Sequence, residues 1–113
     1  MNKLAIGVDI GGTNSKFGIA DREGNILAQS RIKTQQYLNF TSFISVLKNE
    51  IEKLHPLDDV IGIGVGAPNA NYFSGTIENP PNLPWKGISH FAAEAEKVFG
   101  KKCVLTNDAN AAA

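Results

Sequence analysis

The chain has 113 residues, 42% of them hydrophobic and 19% charged, a balance that lets one compact domain bury a core and that argues against a disordered tail. Eleven basic and eleven acidic side chains cancel to a formal charge of zero, which leaves no cationic excess for a nucleic-acid backbone. The apolar run after Met1 is too brief for a secretory signal and far too brief to cross a bilayer, so a cytoplasmic protein without a membrane partner is expected.

The first predicted elements are strands. Leu4 to Ile10 is apolar and rich in β-branched residues. A polar turn Gly11-Gly12-Thr13-Asn14 follows, and Ser15 to Ala20 resumes strand character, which makes a β-hairpin. A second turn, Asp21-Arg22-Glu23-Gly24-Asn25, leads into Ile26 to Thr34, where Ile26, Ala28, Ser30 and Ile32 alternate onto one face. Phe40, Phe43, Ile44, Leu47, Ile51 and Leu54 then recur at the three-and-four spacing of a helical face, with Pro56 as its stop. Val60 to Val65 reads as a buried parallel strand. An irregular stretch from Pro68 to Gly87 precedes a helix from about Ser89 to Phe99, with Gly100 as its stop, and a last strand from Lys102 to Leu105. Cys103, the single cysteine, lies in that apolar strand and is read as a small core residue.

The final Asn107-Asp108-Ala109-Asn110-Ala111-Ala112-Ala113 reads as a helix just begun, capped by Asn107 or Asp108, with nothing to end it. The expectation is that these residues are a piece of a longer chain. Three antiparallel strands followed by two right-handed βαβ crossovers define an α/β fold with a mixed five-stranded sheet. Ligands of such sheets bind beyond the carboxyl ends of the parallel strands. Those ends are Asp9 to Thr13, Gly66 to Asn69 and Thr106 to Asp108, the most polar and glycine-rich points of the chain.

Four motifs carry the chemistry. In Asp9-Ile10-Gly11-Gly12-Thr13-Asn14-Ser15-Lys16 the paired glycines let backbone N–H groups approach an anion, and Thr13 and Asn14 add side-chain donors, which suits a polyphosphate. Asp9 is placed to hold Mg2+ through water. The competing reading is a plain hairpin turn with Asp9 accepting its N–H groups, and Lys16 is weighed as a phosphate ligand against a solvated strand residue. No Walker sequence follows. Gly62-Ile63-Gly64-Val65-Gly66-Ala67 matches a loose dinucleotide pattern, but its glycines lie inside a strand, where they admit a close-packed helix or ligand instead. In Glu78-Asn79-Pro80-Pro81-Asn82-Leu83-Pro84-Trp85 the prolines stiffen a loop that presents the Asn82 amide, a paired donor and acceptor suited to sugar hydroxyls. Trp85 is a packing anchor or a stacking platform. In Thr106-Asn107-Asp108-Ala109-Asn110 the carboxylate at a helix start is stabilised as an anion, and it serves as a cap, as a catalytic base, or as both.

Asp9-Ile-Gly-Gly-Thr, Gly64-Val-Gly-Ala-Pro68, Pro81-Asn-Leu-Pro-Trp85 and Asn107-Asp-Ala-Asn-Ala-Ala-Ala113 together resemble the ROK family of repressors and sugar kinases along essentially the whole chain. The resemblance implies the actin-like, ribonuclease-H-like ATPase fold, with 1–113 as the N-terminal lobe and the C-terminal lobe absent. It implies a kinase that moves the γ-phosphate of ATP, with Mg2+, to a hexose, glucose being the leading candidate. Asp108 is then the general base. Asn82, Asn107 and Asp108, with Gly66 beside them, hold the sugar. Gly11, Gly12, Thr13, Asn14 and Lys16 form the phosphate site, with Asp9 supporting the metal. Structural Zn2+ is expected only in the absent lobe. The family has glycine after Ala-Pro where this chain has Asn69. Family repressors carry a helix-turn-helix ahead of the first strand, and a strand starting near Met1 favours a kinase. The alternative reading is a sugar-sensing protein without catalysis. The isolated 113 residues are expected to be inactive, and the oligomeric state, a homodimer included, is left open.

Overall fold

The computed structural model describes residues 3–36, 39–78, 85 and 87–107, with Asn107 described only by its place in a strand. The expected terminal helix and the residues Asn82 and Asp108 lie outside the described residues.

Strands β1 (Leu4–Ile10), β2 (Asn14–Ala20) and β3 (Ile26–Lys33) form the antiparallel meander that the two turns predict, and Thr34–Gln36 closes it with a short 3-10 turn. The chain continues through α1 (Phe40–Leu54), β4 (Val60–Ala67), β5 (Ala70–Asn71), β6 (Thr76–Glu78), β7 (Ile88–Ser89), α2 (Phe91–Phe99) and β8 (Lys102–Asn107). The main sheet has the order β3-β2-β1-β4-β8, with β4 parallel to β1 and β8 parallel to β4. Both crossovers step in the same direction across the sheet. A right-handed connection therefore carries both helices to the same face.

The alternation along the strands records that one-sidedness. Leu4, Ile6, Val8 and Ile10 are buried, whereas Ala5, Gly7 and Asp9 between them are exposed. Phe43, Ile44, Leu47 and Ile51 of α1 meet Phe91, Ala95 and Phe99 of α2 in the same core. Burying each large apolar side chain contributes about 1.5–3 kcal/mol. Trp85 is the packing anchor of the two readings, since its ring sits edge-on to Phe43 at 4.9 Å and stacks near Phe91 at 5.9 Å.

The ends of the helices follow from local chemistry. The Asn39 side chain accepts the Ser42 N–H at 2.8 Å and caps α1. His55 precedes Pro56 and is extended (φ −164°, ψ 142°), which stops the helix. Gly100, at φ 69°, is the left-handed cap of α2.

The structure differs from the sequence expectations at several points. The stretch from Pro68 to Gly87, expected to be irregular, contains β5 and β6, and these join β7 in a second, three-stranded sheet. Strands of two or three residues are too short to show alternation. Ser89, expected in the second helix, pairs with Ile77 instead, and that helix starts at Phe91. The expected apolar face of β3 is only half-buried at Ala28 and Ile32, and Ile26 is exposed, because β3 is the edge strand and no helix reaches past it.

Candidate functional site

Strand register brings several of the predicted residues that are described to one rim. Asp9 lies opposite Gly66, and Gly66 opposite Thr106, in a row across the parallel strands β1, β4 and β8. One step further, Ala67 lies opposite Asn107. The turn 11–14 leaves the same end of β1. Gly11, Gly12, Thr13, Gly66 and Asn107 therefore share the carboxyl edge of the parallel strands, the position where ligands of open α/β sheets bind. Lys16 is exposed and lies opposite Asp9 in β2, although no ion pair joins them among the described residues.

The loop between β1 and β2 is held by its carbonyl groups. The Gly11 N–H donates to Asn14 O at 3.0 Å, the Thr34 N–H donates to Thr13 O at 3.0 Å, and the Gln35 side-chain amide donates to Gly12 O at 2.6 Å. Three acceptors are thus tied inward. Among the described residues nothing accepts from the Gly12 or Thr13 N–H groups, and the Asp9 carboxylate accepts none of the loop's amides. That leaves adjacent donors without a described acceptor in a fixed bend, an arrangement suited to an anion, and Asp9 does not make the bonds that the plain-turn reading gives it among the described residues. Gly11 is needed for close approach, since a Cβ there would lie 2.7 Å from Asn14 O.

Thr34 and Gln35 have no counterpart in the sequence reading. Their partners are 19 to 23 residues away, so no local motif announces them. Beneath the loop, Ser15 Oγ and Thr34 Oγ1 are hydrogen-bonded at 2.6 Å with both residues fully buried, joining the start of β2 to the 3-10 turn.

Next to β4, Asn69 adopts φ 57°, the one non-glycine left-handed residue among those described. Asparagine thus takes the left-handed turn at the position where the family has glycine. Of the β4 glycines, a Cβ on Gly62 would lie 3.4 Å from Lys102 O. A Cβ on Gly64 would meet nothing within 4 Å, so no described residue packs closely there.

Asp9 is the acidic residue of the rim, and no cluster of three or more metal-ligating side chains occurs among the described residues. That donor set suits Mg2+, which is held through one or two carboxylates together with phosphate oxygens and water, and does not suit an all-protein cage. Cys103 is buried, and its thiol is pushed up to about 12, first by burial and then by the Glu96 carboxylate, so it is inert. No described helix is long and apolar enough to cross a membrane.

Comparison with known proteins adds independent information. Residues 5–113 match the ROK family. The chain is 32% identical over 111 residues to a glucokinase of Streptomyces coelicolor, covering 97% of this chain and 34% of that protein. It superposes on a ROK family glucokinase from Streptomyces griseus, solved in complex with glucose and AMPPNP, with TM-score 0.81 and 31% identity over 96% of this chain and 34% of that one. A ROK hexokinase from Thermus thermophilus gives TM-score 0.83 at 26% identity, over 97% of this chain and 37% of that one. The chain thus spans about a third of the length of the relatives it matches.

Proposed function

The chain belongs to the ROK family and has the actin-like ATPase fold of its sugar kinases, and from that premise we propose that it is the N-terminal lobe of a hexose kinase whose acceptor is glucose. The observation that carries this reading is the loop 11–14. Its carbonyls are bonded inward and its Gly12 and Thr13 amides have no acceptor among the described residues, at the rim where β8 ends in Asn107. Glucose is favoured because the curated relative from Streptomyces coelicolor is a glucokinase.

In this account the Gly12 and Thr13 amides, with the Thr13 and Asn14 side chains, bind phosphate oxygens, and Lys16 adds positive charge beside them. Asp9 holds Mg2+ through water. Bound ATP and Mg2+ supply the phosphoryl group and neutralise its charge. Asn107, Asn82 and the backbone at Gly66 orient the sugar. Asp108, directly after β8, accepts the proton of the attacking hydroxyl late in transfer, a role worth about 10²- to 10⁴-fold in rate. The partners are a hexose and ATP, and the protein works in the cytoplasm, where ATP is supplied. The remainder of the cleft belongs to a second lobe, so the 113 residues alone turn over no substrate.

The test is ADP production by the full-length protein with ATP, Mg2+ and a panel of hexoses. Sugar-dependent ADP release, fastest with glucose, is the expected result. ATP turnover indifferent to every sugar overturns the assignment.

A further inference from the structure

Three cations beside the 11–14 turn share one face of the main sheet. Lys16 lies opposite Arg31, and Asn14 opposite Lys33, across β2 and β3. Alternate residues of a strand point to the same face. Ser15, Phe17 and Ile19 are buried on the helix side, so Lys16, Arg31 and Lys33 stand on the open side, and all three are exposed. We infer that this row is an anion subsite for a condensed phosphate chain longer than a triphosphate, running from the 11–14 turn to the β3 edge. The inference rests on the kinase reading for what occupies the turn, and not for the placement of the cations.

Register and hydrogen bonding set the row against the turn. Lys33 directly precedes Thr34, whose N–H donates to Thr13 O at 3.0 Å, and its cross-strand neighbour Asn14 closes the turn. A phosphate held at the Gly12 and Thr13 amides therefore has Lys33 close by. Arg31 and Lys16 come next, two strand residues or about 7 Å further from the rim. Lys16, Gln29, Ser30 and Arg31 border an open groove of about 400 Å3, a size within the ~300–1,000 Å3 of small-molecule sites.

The charge pattern of the strands points the same way. β2 and β3 carry these three cations and no acidic residue in their sequences. The acid in the row is Asp9 of β1, on the far side of Lys16 from Arg31. Lys16 and Arg31 face each other directly, and like charges at a cross-strand pair are destabilising. A phosphate between them turns that repulsion into two attractions, one of them to the guanidinium fork that matches phosphate oxygens. One cation beside the turn would serve a triphosphate. A row leading away from it suits further anionic units.

Cations on an edge strand also deter edge-to-edge pairing. That role would be met best where the edge is most apolar. Ile26 and Leu27, 62% and 50% exposed, form the apolar end of β3, whereas Arg31 and Lys33 crowd the opposite end, the one tied to the turn. Their position therefore follows the turn and not the need to guard the edge.

The experiment titrates the full-length protein calorimetrically with long-chain linear polyphosphate, tripolyphosphate and ATP, and measures ATP-dependent glucose turnover alongside. Wild type is compared with Arg31→Gln/Lys33→Gln and with Lys97→Gln/Lys101→Gln, which removes the same charge in and just after α2. Arg31 and Lys33 are exposed, so their replacement by glutamine leaves the fold intact. The long chain is expected to bind wild type about tenfold more tightly than tripolyphosphate does, and Arg31→Gln/Lys33→Gln is expected to lose that advantage. The slope of log Kd against log salt should fall by about 1.4 in the same variant, the value for two phosphate contacts on a single flexible chain. Tripolyphosphate binding and the KM for ATP should stay nearly unchanged, and saturating AMPPNP should weaken binding of the long chain. If the long chain binds no more tightly than tripolyphosphate, or if the two double variants bind it alike, the subsite is refuted, and glucose turnover by the wild type leaves the kinase reading standing. If AMPPNP leaves long-chain binding untouched, the row does not continue from the turn and the proposal falls. If the wild type phosphorylates no sugar while Arg31→Gln/Lys33→Gln alone loses the long chain, the kinase reading fails and the subsite stands.

Discussion

Replacing Ser15 by alanine removes one member of the fully buried hydroxyl pair beneath the 11–14 loop and strands the other. Ser15 Oγ and Thr34 Oγ1 are 2.6 Å apart with no exposure on either residue. An intramolecular hydrogen bond contributes only about 1 kcal/mol net, but a buried hydroxyl left without its partner costs about 1–3 kcal/mol. Ser15→Ala and the isosteric Thr34→Val are therefore each expected to destabilise the chain by about 2 kcal/mol. With a urea m-value near ~1.5 kcal/mol per M, the midpoint falls by roughly 1 M. The double variant Ser15→Ala/Thr34→Val leaves no orphaned hydroxyl, so it is expected to be no less stable than either single variant. Equilibrium urea unfolding followed by circular dichroism measures all three. Additive losses in the double variant, or single losses below about 0.5 kcal/mol, would refute the reasoning, because they would mean that water satisfies these groups.

Other expectations follow from the same geometry. Gly11→Ala drives a Cβ to within 2.7 Å of Asn14 O. The loop must shift, at a cost of about 1–3 kcal/mol, and the KM for ATP should rise more than the KM for sugar. Gln35→Leu frees Gly12 O and should likewise weaken nucleotide binding with little change in melting temperature, read by kinetics and calorimetry. Cys103 should resist a disulfide reagent at pH 8 in the native protein and react at once in urea. Its thiol is held up to about 12 by burial and by Glu96. The folded state therefore keeps a proton that the unfolded state releases near pH 9, and Cys103→Ala should flatten the loss of stability between about pH 9 and 11.

Long, strongly patterned elements were legible without coordinates. The α1 face and the end of that helix before Pro56 follow from 3.6-residue spacing and from the restriction on the residue before proline. β1, β2 and β4 follow from apolar runs bounded by turns, and the shared rim follows from the handedness of the crossovers. The second sheet was not legible, because strands such as Ala70–Asn71 and Ile88–Ser89 are shorter than one period of alternation. Its readable sign was the Asn71-to-Gly75 turn, an asparagine that accepts its own neighbours' N–H groups and a glycine at positive φ. The glycines of the 11–14 turn were readable as a tight bend, but the groups that fix that bend were not. Thr34 and Gln35 act on residues 19 to 23 positions away, through contacts that only the folded meander creates.

The glycine loop and the Asn107-Asp108 pair are proposed to serve one phosphoryl transfer. Its most direct test is the turnover of full-length Asp108→Asn with glucose, ATP and Mg2+, measured alongside calorimetric glucose binding. The expected result is a fall in kcat of about 10²-fold or more with glucose affinity largely retained. A near-wild-type kcat would contradict it and remove Asp108 from the chemistry.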